Sequence, residues 1–124
     1  MGLDMYLRGV KNPFNDRQKD EDGFEITAIE IELGYWRKHP DLHGFIVQQF
    51  AGGKDDCQKI YLNAKAIETI LEAVKVEALP LTTGFFFGTS SPSDRLYSIE
   101  VFEKALKWIN RDKDIRYVYY QASW

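Results

Sequence analysis

Residues 63–79 read NAKAIETILEAVKVEAL, and this stretch decides the fold class. Ile67, Ile70, Leu71, Val74 and Ala78 recur at three- and four-residue spacing, the stripe of an amphipathic helix. Asn63 offers an N-cap acceptor, and Pro80 stops the helix near Leu79. The segments around it follow a different period. Leu3, Met5 and Leu7 alternate with Asp4, Tyr6 and Arg8, which is the two-residue period of a half-buried strand. At the far end, Ile115 to Trp124 is a strand run rich in tyrosine. A helix of period 3.6 between strands of period 2 predicts an α+β domain.

Working outward, Asn12-Pro13 breaks the first strand, and residues 15–23 form a charged, solvated loop. Phe24, Ile26 and Ala28 alternate, while Ile29, Ile31 and Leu33 fall on the opposite phase. A β-bulge near Ala28 reconciles the two in a single strand. A helix through Ile26, Ile29, Leu33 and Trp36 is the competing reading. Pro40 suits the first turn of a helix to about Ala51, with Leu42, Ile46 and Phe50 inward. Residues 59–62 form a short strand, and residues 82–88 (TTGFFFG) read as another between glycines. Ser91, Pro92 and Asp94 start a third helix, with Ile99, Phe102, Leu106 and Ile109 facing the core. The expected architecture is a small, mostly antiparallel sheet with about three helices packed on it, as a single domain over residues 1–124.

Composition bounds the function. The 124 residues are 44% apolar and 28% charged, a globular balance, with a single cysteine, Cys57, and so no internal disulfide. The net charge of −3 argues against a protein that lives by neutralising phosphates, and it is too mild for a nucleic-acid mimic. The N-terminus has neither the basic start nor the apolar run of a signal peptide, and no stretch approaches a membrane span. A cytoplasmic protein is expected, with no membrane partner. Aromatic residues are abundant, with eight Phe, seven Tyr and three Trp. Such a surplus fills a bulky core or equips a surface for a partner.

Several segments taken together resemble one family. They are GLDMYL at 2–7, GYWRK at 34–38 with His43, DDC at 55–57, GFFFG at 84–88 and YYQASW at 119–124. The set resembles small proteins encoded by bacteriophages and prophages, over the whole chain. The chain departs from that pattern at His39-Pro40 and Gly44, where a more continuous helix is expected. Some members carry a phosphoglycerate kinase label, but this chain has neither a phosphate loop nor the length for two lobes. The resemblance implies a setting, in which small phage proteins bind and disable host machinery, defence systems among it. It implies no cofactor.

Each candidate residue has a plainer alternative. Tyr35, Trp36, Arg37 and Lys38 form the strongest polar-aromatic cluster, suited to stacking on a base or anchoring a protein partner. The plainer reading puts Trp36 in the core. In the 85–87 run, Phe86 points opposite to Phe85 and Phe87, so a one-sided sheet leaves one set for a ligand, whereas a two-sided core buries both. Tyr117, Tyr119 and Gln121 share one face of the last strand, while Val118, Tyr120, Ala122 and Trp124 share the inward one. The tyrosine face suits target contact or a homodimer. His39 and His43 lie four apart, a metal-ligand spacing, but no third ligand follows from spacing, so no metal is assigned and ordinary surface or helix-start histidines are the plainer expectation. A small enzyme would require His43, Cys57 and Asp55 or Asp56 to converge.

The ranking that follows puts a non-enzymatic phage or prophage protein first, binding a host protein through Tyr35–Lys38, His43, Phe86, Tyr117 and Tyr119. A nucleotide- or nucleic-acid-binding module is the alternative, and an enzyme the third.

Overall fold

Alternation at the N-terminus becomes strand β1, Asp4–Lys11, in the computed structural model, which describes residues 2–12, 18–84 and 87–124. The chain continues through β2 (Ile29–Arg37), α1 (Pro40–Phe50), β3 (Ile60–Leu62), α2 (Ala64–Lys75), α3 (Ser93–Arg111) and β4 (Arg116–Ser123). The strands form one antiparallel sheet in the order β2-β1-β4-β3. The fold is α+β, with three helices and a four-stranded sheet among the described residues.

Register explains which residues meet the helices. Met5, Leu7, Val118, Tyr120 and Ala122 lie on one face and are buried, together with Trp36, Ile60 and Leu62. They pack against Leu42 and Ile46 of α1, Ile67, Ile70 and Val74 of α2, and Phe102, Ala105 and Ile109 of α3. Gly34 on β2 permits the close approach of α3, because a Cβ there would stand 2.5 Å from Val101 Cγ1. Gly34→Ala is therefore expected to destabilise the fold by about 1–3 kcal/mol, the usual cost of overpacking. Urea denaturation measures it, and an unchanged midpoint would show that α3 yields freely.

Three features differ from expectation. Strand β2 starts at Ile29, because β1 ends at Lys11, opposite it, and offers residues 24–28 no partner. The bulge sits at Leu33, between the pairs Leu7–Gly34 and Arg8–Glu32, rather than near Ala28. Helix α2 ends at Lys75, so Ala78 is exposed instead of inward. Glu77 takes the left-handed conformation (φ 56°), and the Glu77 and Ala78 amides donate back to Val74 and Ala73 carbonyls, closing the helix early.

The expected strand at 82–88 is absent from its described residues. The Phe87 amide donates to the Gly84 carbonyl at 3.1 Å and Gly88 has φ 74°, so the glycines turn the chain rather than extend it. Phe86 and Phe85 lie outside the described residues. In the third helix the Asp94 carboxylate accepts the Ser91 amide at 2.9 Å, but the helix begins at Ser93 with Pro92, not Ser91, at the N-cap, one residue later than expected. Ile99 and Leu106 are half-buried, while Val101 and Ala105 take the deepest places beside Phe102 and Ile109.

Candidate functional site

The structure separates the Tyr35–Lys38 cluster into two sides. Trp36 is buried, stacked on Phe102 at 5.5 Å, and its indole Nε1–H donates to Ser98 Oγ at 2.8 Å. It is a core residue and not a contact for a partner, since strand alternation turns it toward α3. Tyr35 and Arg37 point the other way. The Tyr35 hydroxyl donates to Asp4 Oδ1 at 2.5 Å, and Arg37 pairs with the same oxygen at 2.8 Å. The Tyr35 hydrogen bond and the Arg37 cation hold the Asp4 carboxyl below the usual carboxylate range. Lys38 is exposed, in the left-handed conformation, and its side chain packs over Gly88.

His43 is not on the surface. It is buried beneath α1, with Nδ1 2.6 Å from the Tyr120 hydroxyl and Nε2 2.9 Å from Asp55 Oδ2. Phe87 meets the ring edge-on at 5.3 Å, Trp124 meets Phe87 at 6.0 Å, and Trp124 Nε1–H donates to Asp55 Oδ1 at 3.2 Å. Burial raises the Tyr120 phenol well above its ordinary range, so it stays protonated. One tautomer satisfies both bonds, with the phenol donating to Nδ1 and Nε2–H donating to the Asp55 carboxylate.

This cluster brings His43 and Asp55 together, as a catalytic reading requires, but both imidazole nitrogens are occupied. None is left to activate Cys57, whose carbonyl accepts from Gln121, and the Tyr120 hydroxyl is closed to substrate. Asp56 pairs instead with Lys54 at 3.4 Å. Among the described residues, no three His, Cys, Asp or Glu side chains gather as a metal site would need.

His39 stands at the helix start, as one of the two expected placements had it, but is buried rather than on the surface, with Nδ1 2.7 Å from Ser90 Oγ. Burial, opposed by the Asp94 and Asp41 carboxylates, lowers its pKa below the usual 6.5. The unfolded chain then takes up the proton first. Stability is fully present above about pH 6.5 and declines as pH falls toward the folded-state value. His39→Gln is expected to flatten that decline in urea titrations on the acid side of pH 6.5. A decline of the same steepness in the variant would contradict the assignment.

The sheet face opposite the helices carries the tyrosines. Cross-strand pairs place Tyr6 beside Tyr35 and Gln121, Arg8 beside Glu32 and Tyr119, and Tyr61 beside Tyr119. Tyr6 and Tyr35 meet at 5.3 Å, and Tyr61 meets Tyr117 at 5.8 Å and Tyr119 at 6.1 Å. Tyr61 is 62% exposed, and Tyr35 and Tyr117 are each 38% exposed.

Tyr119 corrects an expectation. It lies on the predicted outer face but is only 3% exposed, because Lys59 covers its ring and its hydroxyl bonds to Glu30. It supports the face from below rather than touching a partner. Tyr6, Arg8 and Tyr61 were not singled out in the sequence. Alternation with Met5, Leu7 and Leu62 was the signal that could have placed them there.

Among the described residues, no helix is long and apolar enough to cross a membrane. Comparisons of the chain with protein-family models, curated proteins and solved structures return no match.

Proposed function

We propose that the chain is a non-enzymatic binding protein that holds a partner protein on the tyrosine face of its sheet. The observation that carries this is five tyrosines (Tyr6, Tyr35, Tyr61, Tyr117 and Tyr119) gathered with Arg8 and Arg37 on the side facing away from the helices. Tyrosine and arginine are the residues that dominate protein interfaces, and tyrosine loses little conformational entropy on binding. The Tyr35–Asp4 and Tyr119–Glu30 bonds hold two of these rings in place before a partner arrives.

The charges on this face balance, with Asp4, Glu30 and Glu32 set among Arg8, Arg37 and Lys59. A nucleic-acid strand would meet those carboxylates; a protein surface of mixed charge would not be repelled. The resemblance to phage proteins suggests that the partner is a host protein, with a defence component as the specific proposal. Strand β4 lies inside the sheet, so a second copy of the chain could use this face but not the edge of the last strand.

The test is capture from host lysate by the parent and by a Tyr6→Ala/Tyr35→Ala double variant of unchanged melting temperature. The parent is expected to retain one host protein specifically. The variant should bind it at least ~30-fold more weakly, since an interface anchor contributes about 2 kcal/mol or more. The proposal fails if the parent retains nothing specific, or if the variant retains the same protein equally well.

A further inference from the structure

A second concavity is separate from the His43 cluster. It is an open cleft of about 790 Å³ at the junction of β3, α2, the end of α3 and β4. Lys65, Lys113 and Arg116 line it, with Tyr61, Tyr117 and Phe50, and no carboxylate does. Asp112 and Asp114 flank Lys113 in sequence without lining the cleft. On a chain of net charge −3, three cations without a lining acid are a local reversal of sign.

None of these cations is neutralised by an ion pair. Among the described residues, Lys65 and Lys113 pair with no carboxylate. Arg116 is fixed by its Nη1–H bond to the Trp108 carbonyl at 2.9 Å and by stacking over the Trp108 ring at 4.9 Å. Its Nε is buried with no hydrogen-bond partner. The start of α2 adds to this. Asn63 caps the Ala66 amide, whereas the Ala64 and Lys65 amides precede the first intrahelical acceptor. Both residues line the cleft. Tyr61 and Tyr117, on the same rim, present rings 5.8 Å apart.

We infer that this cleft is a binding site for a nucleotide, with the phosphates held by Lys65, Lys113 and Arg116 and the base stacked on Tyr61 or Tyr117. The ligand class follows from two requirements met in one place. Unpaired cations with free amides select a phosphate group, and exposed ring faces beside them select a planar partner. The size lies within the range of cavities that hold small organic ligands. A long nucleic acid would have to continue over the sheet face, where Glu30, Glu32 and Asp4 stand, so a nucleotide-sized ligand fits the charge distribution better.

Calorimetric titration of the full chain with adenosine monophosphate, adenosine triphosphate, inorganic triphosphate and a twelve-residue oligouridylate tests the assignment. The two adenosine nucleotides are expected to bind and to raise the melting temperature, with affinity falling as salt is added. Lys65→Glu/Lys113→Glu changes two exposed, unpaired side chains. It should lower nucleotide affinity at least tenfold while the unliganded melting temperature stays the same. Tyr61→Ala should weaken adenosine triphosphate at least fivefold and leave inorganic triphosphate unaffected. Absence of nucleotide binding at millimolar concentration overturns the inference, as does equal binding by the charge-reversed variant. Binding of the oligonucleotide without either mononucleotide overturns it as well, by showing a strand-binding track. The Tyr6→Ala/Tyr35→Ala variant should bind nucleotides like the parent, which keeps this outcome distinct from protein binding on the sheet face.

Discussion

Trp36→Ala is expected to lower the free energy of unfolding by about 3–5 kcal/mol, the range for truncating a buried aromatic side chain. A domain of this length holds on the order of 6–18 kcal/mol in total, so the variant stands near the limit of folding. Three losses add up. The indole leaves a cavity between β2 and α3, its stack on Phe102 and edge contact with Tyr97 disappear, and Ser98, fully buried, loses its Nε1–H donor. Trp36→Phe keeps most of the volume and should cost well under half as much. Equilibrium urea unfolding followed by circular dichroism measures both. If Trp36→Ala unfolds at the parent's midpoint and only loses binding, Trp36 is a contact residue and its assignment to the core is wrong. A binding defect in this variant is otherwise explained by loss of the fold, so partner contact is better tested at Tyr6 and Tyr35.

His43→Ala ranks beside it, with an expected cost of about 3–5 kcal/mol from a cavity plus two abandoned hydrogen-bond partners. Those partners are unequal. The Asp55 side chain is 27% exposed and recovers water, whereas the Tyr120 hydroxyl lies in the core and cannot. Much of the penalty should therefore belong to the stranded phenol. Tyr120→Phe alone strands Nδ1 of His43. Joining it to His43→Leu removes both polar ends together, so the double variant should be more stable than the two single costs predict, by about 1–2 kcal/mol. Asp55→Asn, at the wet end of the chain, should cost least of the set. Strict additivity in the urea series would mean that His43 and Tyr120 do not interact as the 2.6 Å separation implies.

The His43 network shows why a plausible set of catalytic residue types can be misleading in a sequence. His43 and Asp55 do converge, twelve positions apart, yet so does Tyr120 from the far end of the chain, and it takes the nitrogen a nucleophile would need. Histidines four apart around Pro40 were expected as surface or helix-start groups, because spacing supplied no third ligand. In the fold, Gly44 lies against Thr82, Phe87 meets the His43 ring and Ser90 bonds to His39, so segments remote in sequence bury both rings. Nothing local encodes that approach.

What the chain determined by itself was whatever depends on near neighbours. The period-2 runs of Leu3–Leu7 and Val118–Ala122 and the period-3.6 stripe of Ile67–Val74 chose strand or helix and the buried side of each. Pro40 and Asn63 set two helix starts in the same way. Tertiary structure decided the rest, because it depends on which segments become adjacent. It closed α2 at Lys75, brought the Phe87 amide to the Gly84 carbonyl and placed the bulge at Leu33, and it sealed Tyr119 under Lys59 and Glu30. It also gathered Lys65 from α2 with Lys113 and Arg116 from the junction of α3 and β4 around one cleft. Side-chain period is a property of one element, whereas a site's charge and exposure belong to surfaces that several elements build together.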